Sequence, residues 1–237
     1  DDGQYVRDDK KNASKEQNIG TARVREVGRT HTENHILVKG AGGTDAKKQY
    51  KLIVDNIYST WQYHDPDDFR GRSYGGITYY PNGNTNLTIN LLGDNRVGYV
   101  HINNQRTDSI TFEGTGTLTA ANADFITPDD FTDKRKWDNS YYGISETSDE
   151  RRYISNHRKS AIGNDTKSDG QVYNLTFNSG TIFAGTTKIE NCSAIGGGGN
   201  GYGQVFINGG TVTAVATTTG AAIGGGIGFS DVGGEGH

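Results

Sequence analysis

The chain is poor in the residues on which several common kinds of site depend. It contains one cysteine, Cys192, so an intramolecular disulfide and a cysteine-rich zinc site are both excluded. Its six histidines are scattered, without a pair at a spacing typical of catalytic zinc. No apolar run approaches the about 18 residues that a membrane span needs. A formal net charge of −4 gives no electrostatic reason to bind nucleic acid, which requires a basic face.

Proline is also scarce, with three residues, whereas glycine is abundant, with 35. Twenty of those glycines fall in residues 161–237, without the three-residue period of collagen. In that segment an Ala-Ile-Gly phrase occurs three times, at 161–163, 194–196 and 222–224. The steps of 33 and 28 residues lie within the range of stacked structural repeats.

A second phrase accompanies the first and follows a short alternating apolar run each time. The phrase begins Gly-Thr and occurs at 116–120, 180–184 and 210–214, after the runs 110–112, 175–177 and 205–207. The repeated unit is therefore strand, glycine turn, strand, glycine turn. This pattern predicts an all-β fold, a parallel β-helix or β-solenoid with aromatic-rich loop insertions. Equivalent residues should then stack, so Ile162, Ile195 and Ile223 should form one inward-facing column.

The distribution of charge and aromatic residues suggests how the chain is organised. Residues 1–34 are polar and lack a sustained period, which is typical of an N-terminal arm or cap. Residues 35–237 are assigned to the solenoid, with insertions at about 59–80 and 121–159. Insertions in repeat folds leave as loops on one side and often form a binding face.

The repeat text resembles the glycine-rich "GAAIGGG" repeat proteins found on the surfaces of gut and soil Firmicutes. The matching segments are 220–226 and 205–214, with an upstream part at 87–95 and 110–120. The resemblance implies an extracellular β-helix-like stalk or carbohydrate-binding surface domain. It transfers no catalytic residue to this chain.

Both tryptophans lie in the two insertions, among tyrosines and charged residues. Aromatic rings on a rigid scaffold can stack against the C–H faces of sugars while polar neighbours bind the hydroxyl groups. The other interpretation is that these rings pack the loops onto the coil. The candidate carbohydrate ligands are Trp61, Tyr63, Tyr74, Trp137, Tyr141 and Tyr142.

Two acidic clusters lie in the same insertions. Carboxylates on irregular loops are suitable ligands for Ca²⁺, although neither cluster has EF-hand spacing, and solvated loop acids are the alternative. The candidate calcium ligands are Asp65, Asp67, Asp68, Asp129 and Asp130. No other cofactor is predicted. Two such carboxylates could also act as acid and base on a polysaccharide.

The sequence thus favours an extracellular, bacterial, cell-surface module with a structural or adhesive role and a polysaccharide or surface glycan as partner. A β-helical polysaccharide lyase or hydrolase is the enzymatic alternative, although a non-catalytic role is favoured. A third possibility is a fibre subunit that associates through its ends. Because the repeat order is interrupted at His237, we expect the polypeptide to continue beyond it or a neighbouring subunit to cover that end.

Overall fold

The fold is all-β in the part of the chain that the structure, a computed structural model, describes. That part comprises residues 21–25, 36–40, 48–59, 76–81, 85–102, 109–122, 160–164, 174–186, 193–197, 204–216 and 220–225. These residues form seventeen strands in three sheets, and all observed pairs are parallel. No helix long and apolar enough to cross a membrane occurs among them.

The strands are numbered in chain order and divided among sheets A, B and C. Sheet A contains Thr21–Arg25 (β1), Lys48–Asp55 (β3), Thr85–Leu92 (β6), Ser109–Gly114 (β9), Asn174–Phe177 (β12) and Gln204–Ile207 (β15). Sheet C contains Tyr58–Ser59 (β4), Asp94–Val97 (β7), Thr117–Asn122 (β10), Thr181–Thr186 (β13) and Thr211–Ala216 (β16). Sheet B contains Ile36–Lys39 (β2), Ile77–Tyr80 (β5), Val100–Ile102 (β8), Ile162–Asn164 (β11), Ile195–Gly196 (β14) and Ile223–Gly224 (β17).

From β3 onward the chain passes through sheets A, C and B in that order, and then begins again. One such passage is called a layer, and the last two layers are β12–β13–β14 and β15–β16–β17. Each strand pairs with its equivalents in the layers before and after it. This arrangement is consistent with a parallel β-helix.

The predicted isoleucine column is confirmed. Ile162 pairs with Ile195, which pairs with Ile223, and on the other side Ile162 pairs with Val100. Ile162 and Ile195 are fully buried, whereas Ile223 in the last layer is 40% exposed. Ile223 is exposed because it lies in β17, and no described strand of sheet B lies beyond β17.

The core lies between the three sheets and is apolar. In β6 buried and half-buried residues alternate, so Leu87, Ile89 and Leu91 point inward and the residues between them point outward. In sheet A the column that contains Leu52 and Ile89 continues with Phe112 and Phe177, whose rings stack at 4.8 Å between centroids. The fold is therefore held by columns of identical or similar side chains, each covered by the next layer.

Two of the recurring glycines are required by the backbone. Gly163 and Gly196 have φ angles of 142° and 126°, a region that other residues rarely adopt. A Cβ atom at either position would also collide with the carbonyl oxygen of its neighbour in the next layer, Gly196 or Gly224. The Ala-Ile-Gly phrase thus places an inward isoleucine beside a glycine that allows close approach of adjacent layers.

Two strands lie in segments that the sequence assigned to other roles. Strand β1 falls within residues 1–34, the predicted arm or cap, and it pairs in register with β3. Strand β5 falls at the end of the predicted insertion 59–80 and pairs with β2 and β8. Tyr79 in β5 is fully buried and donates a 2.6 Å hydrogen bond to Thr85, so this insertion aromatic belongs to the core.

Candidate functional site

The residues that the sequence proposed as ligands lie outside the described residues. This applies to the six aromatic candidates Trp61, Tyr63, Tyr74, Trp137, Tyr141 and Tyr142, and to the acidic candidates Asp65, Asp67, Asp68, Asp129 and Asp130. They remain predictions. The described residues contribute instead the outward faces of the three sheets.

The described part of the chain contains three carboxylates, and all three bind basic or amide groups. Asp55 accepts hydrogen bonds from Arg23 at 2.5 Å and from Asn56 at 2.8 Å. Glu113 is bound by Lys51 and Asn90, and Asp94 is bound by an arginine and a tyrosine. Carboxylates engaged in this way tie neighbouring strands together.

Glu113 stands in a network across three adjacent strands of sheet A. Its Oε1 accepts hydrogen bonds from Lys51 Nζ at 2.7 Å and from Asn90 Nδ2 at 3.0 Å. The hydrogen bond from Lys51 is the main reason that the pKa of Glu113 lies below its ordinary value of 4.5, and the Asn90 hydrogen bond adds to it. The network therefore stabilises the charged form of Glu113.

The outward face of sheet C carries a second polar cluster. Arg96 donates two hydrogen bonds to Oδ2 of Asp94, at 2.8 and 3.2 Å, and Tyr58 donates a third at 2.8 Å. The Arg96 guanidinium also lies 5.0 Å from the centroid of the Tyr58 ring, within the range of a cation–π contact. Thr119 follows Arg96 in the same column and is buried, and its Oγ1 has no hydrogen-bond partner among the described residues.

At β8 the outward side of sheet B is covered by packed side chains. His101 is buried, stacks on Tyr99 at 4.1 Å between centroids, and lies 2.7 Å from the carbonyl oxygen of Ser160. Because a carbonyl can only accept, Nε2 of His101 must carry the proton. Gly76 provides space for the Tyr99 ring, since a Cβ there would lie 2.7 Å from it. These contacts account for the burial of His101.

The outward face of sheet A is the most regular polar surface that the structure describes. Its outward residues form columns, because register pairs each residue with its equivalent in the next layer. One column consists of Gln49, Asn86, Ser109, Asn174 and Gln204, and the next of Lys51, Thr88, Thr111, Thr176 and Phe206. Ser109 donates to Asn86 at 2.6 Å, and Asn86 donates to Gln49 at 3.4 Å. The face thus presents hydroxyl and amide groups at the strand spacing of about 4.8 Å.

Phe206 ends the threonine column and departs from it. It pairs with Thr176 and is 47% exposed. The sequence identified 205–207 as a strand but did not single out Phe206 as a functional residue. The available signal was the alignment of the repeats, in which the position held by Thr111 and Thr176 becomes phenylalanine.

The C-terminal end of the layers exposes apolar residues of a different kind. Ile207 points into the interior, because it pairs with the buried Phe177, yet it is 49% exposed. Ile223 at the end of its column is exposed in the same way. Strands β15, β16 and β17 are each the last of their sheet, so each has one edge without a partner strand among the described residues.

No group of three or more metal-ligating side chains occurs in the described ranges. Comparison of the chain with protein-family models, with curated proteins and with solved structures finds no match. The function must therefore be inferred from the geometry of the three sheets and from the sequence.

Proposed function

We propose that the chain is a parallel β-helix, or closely related solenoid, that serves outside a bacterial cell as a structural or adhesive surface module and binds polysaccharide. The observation that carries the proposal is the unbroken succession of layers through sheets A, C and B, with matching residues in register from β3 to β17. The resemblance of the repeat text to surface proteins of Firmicutes supports the extracellular location.

The layered construction suits a module that displays a surface. Each layer buries its apolar residues against the next, so the stacked layers build a continuous apolar interior. The outward residues of sheet A are half-buried, polar and spaced regularly, which favours contact with an extended polymer that offers hydroxyl groups at regular intervals. Rigid display of this kind needs no conformational change for binding.

A glycan array read in parallel with a turnover assay tests the proposal. We expect retention of polysaccharide without release of new reducing or unsaturated ends. New ends would instead assign the chain to the lyases or hydrolases. If the array shows no retention on any glycan, the polysaccharide part of the proposal is wrong.

Self-association into a fibre is a second candidate, favoured by the C-terminal end of the layers. The edges of β15, β16 and β17 lie beside the exposed interior residues Ile207 and Ile223, and open strand edges are templates for pairing with another chain. Sedimentation velocity over a range of concentrations tests this candidate. Concentration-dependent growth that Ile223→Lys suppresses and Thr111→Lys does not would support it, since Thr111 is an outward residue of β9, which has a partner strand on both sides.

A further inference from the structure

The exposure of Phe206 has a different origin from that of its neighbour Ile207. In β12 Leu175 and Phe177 are buried, and they pair with Val205 and Ile207, so these two residues of β15 face the interior. Phe206 lies between them and therefore projects from the outer face of sheet A, where any further layer would leave its ring accessible. The outward direction of Phe206 is thus a property of the face and would persist if another layer covered β15, and the equivalent residues Thr111 and Thr176, which have neighbours on both sides, remain half-buried.

Amide and hydroxyl groups surround this position. Gln204 is the other outward residue of β15, and Asn174 and Thr176 are its counterparts in β12. Just beyond the strands, Asn208 donates a 2.9 Å hydrogen bond to the side chain of Asn178, and both residues are exposed. Asn174 is half-buried, and its Oδ1 is shielded from solvent and accepts no hydrogen bond from the described residues, so rotation of the amide towards a ligand would break no bond to them at that oxygen.

Among the described residues, those nearest to Phe206 in β12, β15 and the turns after them are uncharged. Strands β12 and β15 contain no ionisable side chain, and neither do residues 178–180 and 208–210 after them. Lys51 stands in the same column four strands away, which at about 4.8 Å per strand is roughly 19 Å and exceeds the screening length in physiological salt. Glu113 is closer, but Lys51 binds it at 2.7 Å.

We propose that the outer face of β12 and β15 is a binding platform for an uncharged polysaccharide, with Phe206 stacked against the C–H face of one sugar ring. Asn174, Thr176 and Gln204 bind the hydroxyl groups of that sugar and its neighbour. An aromatic ring surrounded by neutral hydrogen-bonding groups recognises a neutral sugar, whereas an acidic polymer needs a cation to bind its carboxylates. This inference rests on the proposed polysaccharide-binding function and assigns it to a face of the layers.

The inference is tested by affinity electrophoresis of the full chain in gels that contain a neutral β-glucan, a neutral xylan, a mannan or polygalacturonate. We expect retardation by at least one neutral polymer and weaker retardation by polygalacturonate. Phe206→Ala should weaken binding about fivefold to tenfold, which is the contribution expected of one stacking ring. Phe206→Trp, which keeps a ring, should retain binding. Tyr80→Ala is the matched control, because Tyr80 is also an exposed aromatic, at 39%, but belongs to sheet B.

The outcomes separate the inference from the function on which it rests. If wild type is retarded and Phe206→Ala binds equally well, the assignment of the site is wrong while polysaccharide binding stands. Stronger binding of polygalacturonate than of the neutral polymers overturns the uncharged class. If no polymer retards wild type although the glycan array retains it, the platform fails and polysaccharide binding stands, and if the array shows no retention either, both fail. Circular dichroism melts of each variant show whether a loss of binding reflects unfolding, and a folded Phe206→Ala that has lost binding supports the platform.

Discussion

At the scale of single residues, the isoleucine column places equivalent isoleucines in two environments, one buried between layers and one partly exposed. Ile195 is fully buried between the layers, whereas Ile223 occupies the equivalent place in the last layer and is 40% exposed. We expect Ile195→Asp to lower the free energy of unfolding by about 3–5 kcal/mol, because it buries a carboxylate without a partner. Ile223→Asp should cost less than about 1 kcal/mol. Urea unfolding followed by circular dichroism measures both, and equal losses would contradict the burial difference.

Two glycines allow a similar comparison, between a substitution that only strains the backbone and one that also causes a steric clash. Gly196 and Gly180 both have positive φ, 126° and 92°, so a side chain is strained at either. At Gly196 a Cβ would also collide with backbone of the next layer, whereas at Gly180 its nearest neighbours would lie 3.2 Å away. We expect Gly180→Ala to cost about 1–2 kcal/mol and Gly196→Ala clearly more. Thermal melts of the two variants at one pH test this order, and the reverse order would show that the layers can separate locally.

At the scale of elements, sheet A is held by its outward polar residues as well as by its apolar face. The network of Lys51, Asn90 and Glu113 joins β3, β6 and β9, three strands that are adjacent in the sheet but come from three successive layers. Glu113 is partly exposed, so the energy is modest. The lowered pKa of Glu113 nevertheless determines how the contribution of this network to stability changes with pH.

Because the pKa of Glu113 is lower in the folded than in the unfolded chain, its contribution to stability is fully present above about pH 4.5 and is lost as the pH falls through the folded value. We therefore expect Glu113→Gln to be less stable than wild type at pH 7, by no more than about 1 kcal/mol. At pH 3 the two proteins should converge, since protonated glutamate and glutamine are then similar. Urea unfolding at several pH values measures the difference in the free energy of unfolding between the two proteins. A difference that does not change with pH would contradict the stabilising role of the charged form of Glu113.

The elements also show what could be predicted from sequence. Strands β12, β13, β15 and β16 lie in repeated text, where alternation and glycine punctuation recur, and there the sequence predicts strand and register correctly. Strand β1 was missed because it is mostly exposed and lacks an apolar alternation, and it is fixed instead by pairing with β3 and by the Arg23–Asp55 ion pair.

The site was harder to predict for a related reason. A search for clustered aromatics leads to the insertions, whereas Phe206 is a single ring in a strand. Its role as a candidate depends on which face it occupies, and that is fixed only when the pairing of Val205 and Ile207 with buried residues is known. Tyr79 shows the converse, because an aromatic in an apparent loop belongs to the core.

At the scale of the whole molecule, stability should accumulate layer by layer. Described strands pair only with their equivalents in adjacent layers, so each layer depends on its neighbours more than on the rest of the chain. Removal of one complete layer should therefore leave a smaller molecule of the same kind, whereas removal of part of a layer should disrupt every sheet.

Deletion of residues 174–203 tests this construction, because it removes β12, β13 and β14 and joins the preceding segment to β15. The known registers then bring Ile110 opposite Val205, Leu118 opposite Val212 and Ile162 opposite Ile223, so apolar columns remain continuous. We expect a folded protein with a β-rich circular dichroism spectrum, less stable than wild type by about 2–4 kcal/mol for the 30 residues removed.

Deletion of residues 181–196 is the control. It would place β12 directly before β15, two strands of sheet A in succession, and should not fold. If the shorter deletion folds and the deletion of a complete layer does not, the layer is not the unit of stability.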